Sequence, residues 1–225
     1  MPSLECVLFL HGRYRNSNFP FYRSLCRGKY LVAVDGGYSF FRRSGIKPNL
    51  MIGDFDSLKS MPRDTTGINI MRFPTAKDAT DSEMALRLCI LRLDAEVIDI
   101  VQPSTGEPDQ FLANLMLLTI PPREHRPGKR PKVRIINPSY EARLLKDESI
   151  TIRNAVGDGI SVLPLSRSIM YSCSGTEFAC RSRKIPIGAT LATRNVILSK
   201  SAVLQVQGMA LLVRQFHKKA PKRGA

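Results

Sequence analysis

The chain has 225 residues, 43% of them hydrophobic, and a formal net charge of +15. That length holds one large domain or two small ones around a buried core. No apolar run is long enough to span a bilayer, and the amino-terminus lacks the pattern of a secretory leader. Cys6, Cys26, Cys89, Cys173 and Cys180 are scattered, odd in number and without C-x-x-C spacing. They read as free thiols in a reducing cytoplasm, not as disulfides or a zinc site. The positive charge suits anionic ligands. It concentrates in residues 123–132 and in the tail from His217 to Arg223. Those stretches read as a solvated loop and a frayed terminus, and no aromatic interleaving supports RNA binding.

In chain order, residues 4–10 predict a first strand that ends at His11-Gly12, and residues 18–26 a helix. Residues 30–34 are apolar almost throughout, the pattern of a strand buried on both faces. They stop at Asp35-Gly36-Gly37, read as a turn that needs glycine dihedrals. Residues 38–43 predict a helix closed near Gly45, and residues 50–52 and 68–73 two further strands. Thr80-Asp81-Ser82-Glu83 fits a capping box, opening a helix with Met84, Leu88 and Leu91 on one face. Residues 97–101 predict a strand, followed by an apolar helix to about Thr119 and a strand at 133–136. Strands alternating with helices argue for a mostly parallel sheet. The pattern changes near Asn137-Pro138. Short strand-like runs follow at 149–152, 160–163, 169–173, 196–199, 203–206 and 210–214, most of them separated by glycine turns. The expected fold class is therefore α/β: an N-terminal mostly parallel α/β sheet domain over residues 1–138, then a C-terminal all-β sandwich domain over 139–216, then a basic tail at 217–225.

Acidic residues gather just after the strand-like runs. Asp35 follows one, Asp54 and Asp56 follow another in Gly53-Asp54-Phe55-Asp56-Ser57, and Lys77-Asp78-Ala79-Thr80-Asp81 opens a helix. In an open parallel sheet the loops at the carboxyl ends of strands share one edge, where ligands bind. Carboxylates converging there make a hard-oxygen site suited to magnesium and, through it, polyphosphate. Each aspartate taken singly is an ordinary turn or cap residue; three clusters in equivalent positions argue for metal-dependent phosphate chemistry. There is no G-x-x-x-x-G-K-[ST] or G-x-G-x-x-G cradle, so phosphate must be held by metal, lysine and backbone amides. His11, His125 and His217 lack ligand spacing and read as structural or surface residues. Phe178, within Ser174-Gly175-Thr176-Glu177-Phe178, reads by itself as a core residue.

These motifs resemble the thiamine pyrophosphokinase (thiamine diphosphokinase) family over nearly the whole chain. Asp35-Gly36-Gly37 is similar to the family's D-G-G turn, Pro48 to Ser57 to its P-x-x-x-x-G-D-F-D-S motif, and Lys77 to Glu83 to its K-D-x-T-D-x-E motif. Gly106 and Asp109-Gln110 stand where the family has G-R-x-D-H or G-R-x-D-Q. Residues 174–178 resemble its T-x-G-x-x-aromatic segment, and residues 192–196 its later S-N turn. Three positions depart: Glu107 stands for arginine, Arg194 for a small residue, and Phe178 for Trp or Tyr. The resemblance implies pyrophosphoryl transfer from ATP to the thiamine hydroxyl, releasing AMP. It implies Mg2+ held by Asp54, Asp56, Asp78 and Asp81, with Asp109 in the catalytic set. Asp35, Gly36, Gly37, Ser57, Lys77, Thr80 and Gln110 would surround the nucleotide, and Phe178, Arg194 and Asn195 the thiamine. It further implies a cytoplasmic homodimer with sites at the subunit interface. Two other readings stay open: a diphosphokinase acting on another heterocyclic alcohol such as a hydroxymethylpterin, and a non-catalytic ligand- or RNA-binding relative.

Overall fold

A computed structural model describes residues 3–56, 64–74, 78–103, 106–121 and 130–217. The chain divides into two units, Met1–Pro138 and Ser139–Ala225. No helix among the described residues is long and apolar enough to cross a membrane.

The first unit is an α/β sheet. Strands β1 (Glu5–Phe9), β2 (Tyr30–Val34), β3 (Leu50–Gly53), β4 (Asn69–Arg72), β5 (Val97–Val101) and β6 (Lys132–Ile136) all pair in parallel, in the order β6-β5-β1-β2-β3-β4. The order runs outward in both directions from the β1–β5 pair, the switch point of a doubly wound sheet. Successive side chains on β1 to β3 go to opposite faces, and both faces are covered. Val7, Phe9, Leu31, Ala33 and Met51 pack with Tyr22 of α1 (Phe19–Leu25) and Phe40 and Phe41 of α2 (Tyr38–Ser44). The Phe9 and Phe40 rings stack with centroids 4.5 Å apart. Helix α3 (Asp81–Leu91) packs on β1, β2 and β3, and α4 (Pro108–Leu117) follows β5.

Several sequence expectations change in the folded chain. The buried face of α3 is Ala85, Leu86, Cys89 and Ile90, while Met84 and Leu88 are half-buried and Leu91 is exposed. The helix must cover a sheet rather than a narrow seam, so the buried stripe is wider than the spacing of its largest residues suggested. Asp35–Gly37 is a 3-10 turn in which Asp35, not a glycine, takes a left-handed φ of 46°. Gly37 is required for space: a Cβ there would lie 1.8 Å from the Phe9 carbonyl oxygen. Gly45 closes α2 as expected, left-handed at φ 71°.

In the second unit all strand pairs are antiparallel. β7 (Tyr140–Arg153) and β12 (Ser201–Gln215) run together over nearly their whole length. Residues 203–207 of β12 also pair with β9 (Ser168–Ser174), and residues 210–215 with β8 (Gly159–Pro164). β10 (Cys180–Pro186) pairs with β9, and β11 (Asn195–Val196) with β8. Alternating burial on β8 and β9 sends one face of each inward, and one core gathers Ile160 and Val162 with Ile169, Tyr171, Ile185, Leu204 and Leu212. The runs at 203–206 and 210–214 are thus one strand. Gly208 is not a turn between them but a bulge inside it, with φ 97° and its N–H donated to the Asp147 carboxylate at 2.7 Å. β10 had no apolar signal because Arg181, Ser182, Arg183 and Lys184 are all exposed, charge being how an edge strand discourages further pairing.

Candidate active site

The carboxyl edge of the parallel sheet carries a cavity of about 460 Å³ lined by His11, Val34, Asp35, Asp54, Asp78, Ala79, Thr80, Asp81, Ser82 and Gln110. His11 follows β1, Asp35 follows β2, Asp54 follows β3, residues 78–80 lie between β4 and α3, Asp81 and Ser82 open α3, and Gln110 sits in the first turn of α4 after β5. The lining therefore comes from segments just past the carboxyl ends of five parallel strands, as the geometry of an open sheet dictates.

Within this cavity edge, one carboxylate oxygen from each of Asp35, Asp54 and Asp56 falls within 4.8 Å of the others. Two backbone devices bring them together. Gly53 ends β3 against Asp35, closely enough that a Cβ would lie 3.1 Å from the Asp35 Cβ. Phe55 then takes a left-handed φ of 65° while its ring is buried in the α/β core. Such a conformation costs a non-glycine residue about 1–3 kcal/mol, and the buried ring offsets it. The D-F-D motif is thereby explained: the phenylalanine anchors the loop and leaves an acid on each side of it. The Asp56 N–H is donated to the Asp54 carboxylate at 3.2 Å, closing the turn.

Three carboxylate oxygens gathered this closely are the donor set that a divalent ion of hard oxygen preference takes. Asp35, expected beside the nucleotide, belongs to this trio. Asp78 and Asp81, expected as ligands, line the same cavity. Thr80 caps α3, its hydroxyl accepting the Glu83 N–H at 3.2 Å, while the Glu83 carboxylate is engaged by Arg87 at 2.9 Å. Asp109 does not line the cavity; its carboxylate accepts the N–H of Gln110 at 2.7 Å. Gly36 and Gly37 are buried in the turn beneath the site. Ser57 and Lys77 lie outside the described residues. So do residues 123–129 of the basic segment and, beyond His217, the basic tail. Glu107 takes the N-cap position of α4 with Pro108 in the first turn, so the residue that departs from the motif stands at a helix start.

His11 and Ser82 line the cavity and were not assigned to it from sequence. The signal for His11 was available, since it stands just past the first strand at the same edge as the aspartates.

The expected thiamine residues form a cluster of their own in the second unit. Phe178 is not core: it is 67% exposed. Its backbone is fixed from beneath by buried Asn195, whose Oδ1 accepts the Phe178 N–H at 2.9 Å and whose Nδ2 donates to the Phe178 carbonyl at 2.9 Å. Nδ2 also reaches the Thr176 hydroxyl at 3.3 Å. Asn195 therefore positions the loop that presents the ring. Arg194 is exposed at a left-handed φ of 57°, its N–H donated to the Ser161 hydroxyl at 3.0 Å.

The model of one protein family, "Thiamin pyrophosphokinase, catalytic domain", matches residues 22–127. Solved structures similar to the chain include a thiamine pyrophosphokinase from Bacillus subtilis, at 20% identity and TM-score 0.81 over 95% of this chain and 100% of that one. Thiamin pyrophosphokinase from Candida albicans matches at 16% identity and TM-score 0.74, over 96% and 90%. The yeast structure of that name matches at 12% identity and TM-score 0.76, over 96% and 87%. At such identities the structural likeness speaks for the fold. No curated protein sequence matches the chain.

Proposed function

We propose, for a chain that belongs to the thiamin pyrophosphokinase family by its catalytic domain, that it is a thiamine diphosphokinase using ATP as pyrophosphoryl donor. The observation that carries the reading is the cluster of Asp35, Asp54 and Asp56 at the mouth of a cavity also lined by Asp78 and Asp81. Asp35, Asp54 and Asp56 would hold Mg2+, and Asp78 and Asp81, which line the same cavity, would serve that ion or its waters. When bound, Mg2+ neutralises phosphate oxygens and the departing AMP.

The chain's own residues orient the reactants. The cavity edge takes the polyphosphate, with Thr80 and the amides at the start of α3 facing it. The thiamine hydroxyl attacks the β-phosphorus of ATP and the bond to the α-phosphate oxygen breaks, giving thiamine diphosphate and AMP; the hydroxyl proton leaves to solvent. No base is assigned, because this chemistry rests on positioning and charge more than on proton abstraction. The Phe178 ring offers an exposed π-face suited to a cationic heterocycle. We read the second unit as a sandwich in which β7 and β12 pass between two layers, and the protein as a cytoplasmic homodimer.

The experiment is AMP release from ATP and Mg2+ with and without thiamine, and with hydroxymethylpterin as a competing acceptor. Thiamine-dependent AMP formation in equal amount with thiamine diphosphate is expected. Release with the pterin alone, or none with either, overturns the assignment.

A further inference from the structure

Cys173 is the penultimate residue of β9 and Cys180 begins β10, and the two are direct partners in the antiparallel register. Their sulfurs stand 3.7 Å apart. The hairpin they close is the segment that carries Phe178. The Cys173 thiol donates to the Phe178 carbonyl at 3.2 Å and accepts from the Thr176 hydroxyl at 3.5 Å. Both cysteines line a second cavity, of about 660 Å³, with Ser172, Ser174, Arg181, Ser182 and Gln205. Cys173 is buried and Cys180 is half-exposed at this opening.

We propose that Cys173 and Cys180 form a reversible disulfide, a redox site that reacts with anionic low-molecular-weight disulfides and sets the conformation of the 174–179 hairpin. Residues directly opposite on antiparallel strands already have Cα atoms about 4.5–5.5 Å apart, inside the range a disulfide spans. Only the side chains need move. Arg181 supplies a cation beside the entrance for the reagent's carboxylates.

The exchange balances in two steps. Burial and the neighbouring Cys173 thiol raise Cys180, so access rather than acidity makes it the entry thiol: it loses its proton and attacks one sulfur of the reagent, releasing one thiolate and leaving a mixed disulfide. The Cys173 thiolate then attacks the Cys180 sulfur and releases the second thiolate. Two protein thiols are oxidised and one reagent disulfide is reduced to two thiols, which take up the two protons. Burial opposes ionisation of Cys173, but hydrogen bonds from Thr176, Tyr171 and Cys180 outweigh it and hold this thiol below its usual range, as suits the resolving nucleophile. The other thiols lack this setting. Burial pushes Cys26 up to about 11, and Cys6 and Cys89 are sealed in the α/β core. Oxidation removes the Cys173 proton, so the Phe178 carbonyl loses one of its two donors while Asn195 remains.

The test uses the full chain in a series of glutathione redox buffers, quenched in acid, denatured, alkylated and digested with trypsin. Cleavage after Arg167 and Arg181 releases one peptide holding both cysteines. At the oxidising end this peptide should refuse alkylation and lack two hydrogens, and regain both thiols on reduction, with Cys6, Cys26 and Cys89 alkylated throughout. Cys180→Ser should abolish the disulfide in a folded protein. Amide exchange across 174–179 should slow by about fivefold on oxidation. Two alkylated cysteines at every ratio, or a glutathione adduct on Cys180 that Cys173 never displaces, overturns the site. A disulfide with unchanged hairpin exchange overturns its control of the loop. None of these readings uses a substrate, so they stand or fall apart from the thiamine assignment.

Discussion

At the scale of single residues, side chains of the same type take different work from their surroundings. Asp54 and Asp56 sit in an acid cluster whose chemistry asks for a cation. Asp54→Asn and Asp56→Asn should each lower AMP release by about 100-fold or more, by removing a hard ligand and the charge stabilisation it supports. Melting curves should stay near those of the parent. Near-parental rates at limiting Mg2+ would take the metal away from these residues. Asp99 is the opposite case, fully buried in β5 with Arg134 Nε at 2.6 Å and Lys29 Nζ at 3.2 Å. Burial raises its pKa, yet the two cations outweigh this and leave it lowered. A carboxylate lowered in the folded state contributes stability above its unfolded pKa and loses it as pH falls through the folded value. Asp99→Asn should cost about 3 kcal/mol at neutral pH, and the gap from the parent should narrow as the solution is acidified below about pH 4. Urea midpoints at both pH values check this, and a gap that stays constant contradicts it. Phe178, exposed rather than packed, should tolerate Phe178→Ala with melting nearly unchanged. The KM for thiamine should rise roughly 2- to 30-fold while that for ATP holds. An unchanged thiamine KM removes the ring from the site.

At the scale of elements, the glycines of the first unit separate steric need from conformational need. Gly37→Ala would drive a Cβ to 1.8 Å from the Phe9 backbone oxygen, so the 3-10 turn and β1 could not keep their places. The expected loss exceeds about 3 kcal/mol. Gly45→Ala meets open space and pays only for its left-handed φ, about 1 kcal/mol. Chemical denaturation of the two variants should separate them by that margin; equal losses would mean the close approach at Gly37 relaxes freely. Elements of this sheet were legible in the sequence where burial was two-sided, as in Tyr30–Val34, because a strand covered on both faces must be apolar throughout. The acid clusters were legible because parallel topology turns strand ends into one edge. What stayed hidden was set by tertiary neighbours. Gly37 reads as a turn residue until Phe9 is placed beside it. β10 reads as loop because its exposed charges carry no periodicity. Phe178 reads as core because nothing in its local sequence reveals that Asn195, 17 residues on, holds its backbone up to solvent. The Cys173–Cys180 pairing is set by strand register, which spacing along the chain does not encode.

At the scale of the whole molecule, the acid-lined cavity and the Phe178 hairpin belong to different units of the chain. The proposed homodimer with sites at the subunit interface has a consequence that a self-sufficient monomer lacks. In such a dimer each site would draw its acids from one subunit and its aromatic platform from the other. Asp54→Asn spoils only the first contribution, and Phe178→Ala only the second. Mixing the two variants in equal amounts, with time to exchange subunits, makes half of the dimers mixed. Each mixed dimer holds one site with both contributions intact. Assayed at thiamine far below the KM of Phe178→Ala, activity should then reach about a quarter of the parent plus a quarter of the Phe178→Ala rate. If each chain builds its own site, the mixture shows only the average of the two weak variants. Sedimentation of the parent should give a dimer at assay concentration, and specific activity should fall on dilution below its dissociation constant. Recovery without a dimer would point to exchange of a whole unit between chains, whereas a dimer without recovery would leave the sites within single subunits.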